Sequence, residues 1–104
     1  MKIIKTINQL NNINSDNYII FKHSNTCGIS LHAYDQITEF LALNKIDTYM
    51  VIVQDNRDLS DFISKKYGIK HESPQVILIK NGAVEDTKSH YDITLNYLIS
   101  RSKQ

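Results

Sequence analysis

The amino-acid sequence predicts an α/β fold in which a mixed sheet of four to five strands carries helices on both faces. Three observations predict it. Short apolar runs rich in β-branched and aromatic residues, at 18–22, 49–53 and 76–79, alternate with longer segments whose apolar residues recur every three or four positions. Asn81-Gly82 stands alone between the last two strand-like runs, a strong short-range signal for an antiparallel hairpin. A chain of 104 residues that is 41% hydrophobic can bury one core and is too short for two ordinary domains, so residues 1–104 are read as one domain.

The elements follow in order along the chain. Ile3 and Ile4 suit a short edge strand, and Thr6 caps a brief helix in which Ile7 and Leu10 lie one turn apart. Residues 18–22 (Tyr-Ile-Ile-Phe-Lys) form a buried strand, and His23-Ser24-Asn25-Thr26 is the loop that follows. Over 28–44, Ile29, Ala33, Ile37, Phe40 and Leu41 share one face of a helix. Residues 49–53 make a second strand, which a helical crossover places parallel to the first. Asn56 is positioned to cap a helix over 57–67 with Leu59, Phe62 and Ile63 inward, and Gly68 to stop it. Residues 76–79 and 83–88 pair across Asn81-Gly82, and Asp92 or Thr94 caps a last helix through Leu95, Leu98 and Ile99. This is the thioredoxin arrangement, with a cysteine opening the helix after a buried strand and a proline directly before the third core strand.

Twelve Lys and Arg against eleven Asp and Glu leave a net charge of +1, which offers no basic field for nucleic acid or anionic lipid. The N-terminus turns polar within a few residues, whereas a secretory signal needs roughly 7 to 15 apolar ones. No run nears the ~18 apolar residues of a membrane helix, so the protein is expected to stay in the cytoplasm; a monomer is expected as well. One cysteine cannot form an internal disulfide. Any redox chemistry must therefore involve a second molecule.

Free intracellular cysteines are more often inert core than nucleophile, because thiols pack as small hydrophobes. The position of Cys27 reverses that expectation. It lies between Thr26 and Gly28, off the apolar stripe, at a predicted helix start whose unpaired N–H groups and positive dipole end favour a thiolate. Such settings lower a thiol pKa from ~8.5 into roughly the 3.5 to 7.5 range. Cys27 is thus the expected catalytic nucleophile. Cys27-Gly28-Ile29-Ser30 is a Cys-x-x-Cys pattern with serine in the second place. Ser30 either hydrogen-bonds a thiolate or closes the first helical turn; it cannot attack a mixed disulfide, so turnover uses an external thiol.

Pro74 reads either as an ordinary turn device before a strand or, in the thioredoxin order, as a cis proline. In the second reading it faces the cysteine and leaves the Ser73 backbone free to pair with an extended substrate. Thr26, Gly28, Ser30, Ser73 and Pro74 make up the expected substrate-binding set. His23, His32, His71 and His90 lack the spacing of a zinc motif, so no metal is expected. His23 and His71 flank the two loops, with solvated or structural roles favoured over tuning of Cys27.

Phe21-Lys22-His23-Ser24, Thr26-Cys27-Gly28-Ile29-Ser30, His71-Glu72-Ser73-Pro74-Gln75, Ile79-Lys80-Asn81-Gly82 and Ser89-His90-Tyr91-Asp92-Ile93-Thr94 together closely resemble the monothiol bacilliredoxin, or YtxJ-like, family. The resemblance runs through nearly the whole chain. It implies a thiol-disulfide oxidoreductase that removes bacillithiol from S-bacillithiolated client proteins through Cys27. Bacillithiol is then a co-substrate with no bound cofactor, and a flavin-dependent bacillithiol disulfide reductase is an indirect partner. The family commonly has proline after the cysteine where this chain has Gly28, which restores an N–H and loosens the turn.

Two other readings compete. Cys-Gly-Ile-Ser also looks like the Cys-Gly-Phe-Ser of monothiol glutaredoxins, some of which carry a [2Fe-2S] cluster between protomers. Those proteins usually have Thr-Val-Pro before the third core strand and a Gly-Gly pair followed by an acidic residue after it; here the residues are Glu72-Ser73-Pro74 and Asn81-Gly82. The other reading is a non-catalytic thioredoxin-like interaction module, which an unreactive Cys27 would favour.

Overall fold

The computed structural model describes residues 1–26 and 28–102. Its elements are β1 (Lys2–Ile3), α1 (Ile7–Asn11), β2 (Tyr18–His23), α2 (Gly28–Leu43), β3 (Thr48–Ile52), α3 (Arg57–Tyr67), β4 (Gln75–Lys80), β5 (Ala83–Ser89), a 3-10 turn (His90–Asp92) and α4 (Leu95–Ser102). One five-stranded mixed sheet runs β1-β3-β2-β4-β5. β1 and β2 pair parallel to β3, whereas β4 is antiparallel to both β2 and β5.

β2 is buried on both faces, which explains its unbroken apolar run. Ile19 and Phe21 pack with Ala33, Ile37 and Phe40 of α2 and Leu98 of α4. Tyr18 and Ile20 join Leu10 of α1 and Leu59 and Ile63 of α3 on the opposite face. The period-two alternation of one strand thus divides the core between two helical layers. Thr6 caps α1 through a capping box with Gln9. Gly68 ends α3 in the left-handed conformation at φ 65°. Asn81 (φ 54°) and Gly82 (φ 77°) make the hairpin turn, as their pair predicts.

Two local expectations change, at Asn56 and on α2, and the alternative at the α4 cap is decided. Asn56 stands at the start of α3 but makes no side-chain cap; with its amide nitrogen turned outward it reaches Lys5 O at 3.0 Å, tying α3 to the end of β1. Thr94, not Asp92, caps α4, its Oγ1 accepting from Tyr97 N–H at 3.1 Å, because Asp92 is taken up in the 3-10 turn. On α2 the fully buried positions include Ser30, while Ile29 and Leu41 are only partly covered. A polar side chain takes that place because it has a loop partner to bond.

Candidate active site

The sheet register brings together the segments around the cysteine. Lys22 near the end of β2 lies opposite Gln75 at the start of antiparallel β4, so the loop before β4 sits beside the loop after β2. Gln75 also pairs with Ser89 at the end of β5, and His90 N–H donates to Pro74 O at 3.0 Å. The first turn of α2, residues 71–74 and the 3-10 turn therefore converge at one end of the sheet. Cys27 itself lies outside the described residues and directly precedes Gly28, the first residue of the sixteen-residue α2.

Its neighbours are held on both sides. Ser24 N–H donates to Ser30 Oγ at 3.2 Å, and Ser30 is completely buried. Ser30 thus closes the loop onto the first helical turn and offers no side-chain surface to a substrate. Thr26 and Gly28 are exposed, and a Cβ on Gly28 would meet open space. The Ser73-Pro74 peptide is cis, Pro74 is buried and Ser73 half-buried. Among the described residues no backbone hydrogen bond engages Ser73.

Beneath the 71–74 loop lies a polar cluster centred on Lys22, a fully buried side chain. Its Nζ donates to Ser60 O (2.9 Å), Ser64 Oγ (2.9 Å) and His71 Nδ1 (3.0 Å), so all three ammonium donors are used. Burial pushes its pKa down to about 8, and Asp61 opposes that shift. An ammonium only donates, so His71 Nδ1 accepts and the ring carries its proton on Nε2. His71 is held below the ordinary histidine value by burial first and by Lys22 second. Ser89 Oγ donates to the Glu72 carboxylate, a bond that lowers the carboxyl pKa and ties the loop to β5.

The four histidines are dispersed. His23 ends β2 against the rings of Phe21 and Tyr34, His32 on α2 touches Tyr91, and His90 opens the 3-10 turn. His71 has the structural role just described. Among the described residues no three His, Cys, Asp or Glu side chains gather in a metal-type cluster. A recess of about 470 Å³ lies elsewhere, lined by Tyr18, Ile79, Lys80 and Arg101 where β2 begins and β4 ends. It is a strand's length from the loop that leads to Cys27.

Sequence reasoning passed over two residues here. Lys22 is visible as a charge ending an apolar run, but only the fold supplies its three acceptors. Gln54, just past β3, bonds to Ser24, Asn25 and Thr26. No local pattern marks it, because its partners are about thirty residues away.

The β-α-β-α-β-β-α core, the proline before β4 and the cysteine directly before α2 define a thiol oxidoreductase of the thioredoxin fold. Residues 2–98 match the family described as Monothiol bacilliredoxin BrxC, and the chain belongs to that family. It is similar to a solved thioredoxin-fold protein with a provisional oxidoreductase assignment, at 37% identity and a TM-score of 0.91 over 99% of this chain and 93% of that one. Oxidised thioredoxin from Plasmodium falciparum superposes with a TM-score of 0.77 at 20% identity, covering 100% of this chain and 99% of the other. Fasciola hepatica thioredoxin gives 0.73 at 18% identity, covering 99% and 97%. The two thioredoxins show a shared fold.

Proposed function

We propose that this protein removes bacillithiol from S-bacillithiolated client proteins by a monothiol route through Cys27. The observation that carries the reading is that a chain of the monothiol bacilliredoxin family has one cysteine, placed directly before α2. The helix start favours a thiolate there. The Cys27 thiolate attacks the bacillithiol sulfur of the mixed disulfide; a new S–S bond forms to Cys27, the old one breaks, and the client leaves as a thiolate that takes a proton from water. No net electrons move in that step. A second bacillithiol thiolate attacks the adduct, frees Cys27 and leaves as bacillithiol disulfide, which takes two electrons from a flavin-dependent reductase. Ser30 cannot replace that second thiol, because its hydroxyl is no nucleophile towards a disulfide.

The exposed Thr26 and Gly28, and a Ser73 backbone that bonds to no other backbone group among the described residues, support client docking beside the cysteine. Net charge near zero and the absence, among the described residues, of any helix long and apolar enough to cross a membrane are compatible with work on soluble clients in the cytoplasm. Intact-mass analysis after incubation with oxidised bacillithiol or oxidised glutathione tests the reading. A bacillithiol adduct on Cys27 that forms faster than the glutathione adduct supports it, and equal or reversed preference contradicts the substrate assignment.

A further inference from the structure

The segment leading to Cys27 is gripped by a side chain from the turn that follows β3. Gln54 Nε2 donates to Ser24 Oγ at 2.6 Å and to Thr26 Oγ1 at 3.0 Å, while Oε1 accepts from Asn25 N–H at 3.2 Å. The amide orientation is not free. A backbone N–H only donates, so Oε1 must face Asn25, and the NH₂ group then faces the two hydroxyls. Both hydroxyls accept from Gln54 and keep their own protons for other acceptors. The two oxygens are 3.4 Å apart, so one proton at most is used between them. On its far flank Gln54 walls a recess of about 360 Å³ with Lys5, Asp55, Arg57 and Asp58, whose two positive and two negative charges cancel.

We propose that Gln54 is a positioning residue for the thiol chemistry: by fixing residues 24–26, the segment that leads to the start of α2, it raises the thiolate fraction of Cys27. This rests on the reading of Cys27 as the reacting group. Gln54→Met keeps the side-chain length and removes all three bonds. Gln54→Glu keeps an acceptor for Asn25 but draws the hydroxyl protons to itself and adds a negative charge. Thr26→Val removes one hydroxyl at constant shape.

The test is iodoacetamide alkylation of Cys27 across pH, followed by intact mass, with urea denaturation run on the same samples. The titration midpoint is expected to rise in Gln54→Met, to rise further in Gln54→Glu, and to rise in Thr26→Val. The rate at neutral pH falls severalfold as the thiolate fraction drops. Gln54→Met should add less in the Thr26→Val background than alone, as coupled residues do. Lower stability with an unchanged midpoint, or strictly additive effects, would overturn the proposal. If a Gln54 variant fails to fold, an unchanged midpoint in Thr26→Val overturns it by itself. A wild-type midpoint at the ordinary thiol value of about 8.5 would instead sink the reading of Cys27 as nucleophile.

Discussion

Lys22 Nζ on β2 lies 3.0 Å from His71 Nδ1, which ties the centre of the sheet to the loop that ends in Pro74. Burial holds Lys22 at about 8 instead of 10.5. Between those values the unfolded chain binds a proton that the native state has released, so stability rises with pH through that window. Below it the native state bears the cost of a buried ammonium. Tyr67 and Tyr97, both raised by burial, act in the opposite sense only from about pH 10 upward. Urea denaturation between about pH 7.5 and 9.5 should therefore show stability rising with pH, and Lys22→Met should flatten the rise. The same variant should raise the His71 pKa, read by NMR titration, because Lys22 is one of its two main depressing influences. A slope that survives the substitution would show that Lys22 is not its source.

Ser30 tests how the loop before the cysteine is closed. Ser30→Ala removes a fully buried hydroxyl and leaves the half-buried Ser24 N–H without its acceptor. The expected loss is about 1 kcal/mol of stability, measured by denaturant unfolding. Unchanged stability would mean that the bond to Ser24 contributes nothing.

Gly28 departs from the proline common in the family, and the fold has room for that proline. A Cβ at this position meets nothing within 4 Å, the backbone is not left-handed, and the residue is the first of α2. Proline suits a first helical position and reduces the freedom of the unfolded chain, so Gly28→Pro should stabilise the protein by about 0.4–1 kcal/mol. A fall in melting temperature would contradict this placement of the helix start.

Gly82 makes the opposite case. It has φ 77° with open space around it, so the Cβ of Gly82→Ala meets no neighbour but strains its own backbone, because the left-handed conformation brings Cβ against the adjacent carbonyl oxygen. The expected cost is about 1 kcal/mol in thermal or denaturant unfolding. No change would mean that the Asn81-Gly82 turn relaxes without loss.

Much of this was legible in the sequence because the signals were local. The Asn81-Gly82 turn, the Gly68 stop, the Thr6 cap and the doubly buried β2 each follow from a few adjacent residues. The periodicity of 28–44 likewise places Cys27 before a helix, and the apolar run at 76–79 places Pro74 before a strand. Tertiary bonding was not legible: Gln54 gains its role from residues 24–26, and Lys22 from Ser60, Ser64 and His71. Ser30 belongs to the same class, since the periodicity of α2 gave no reason to bury a hydroxyl. Asn56 shows the reverse error, for a residue with cap chemistry turned to Lys5 O, a competing acceptor that no window of the sequence contains.

On the proposed monothiol route Cys27 takes the bacillithiol directly. A single-turnover assay with bacillithiolated client, no added thiol, and client and protein masses followed together tests it most directly. With one cysteine in the chain, nothing internal can resolve the first mixed disulfide. The whole adduct mass is expected to move from client to Cys27 in a one-to-one product, Cys27→Ser to abolish the transfer, and release to wait for added bacillithiol. A client that becomes reduced while Cys27 stays unmodified would contradict it.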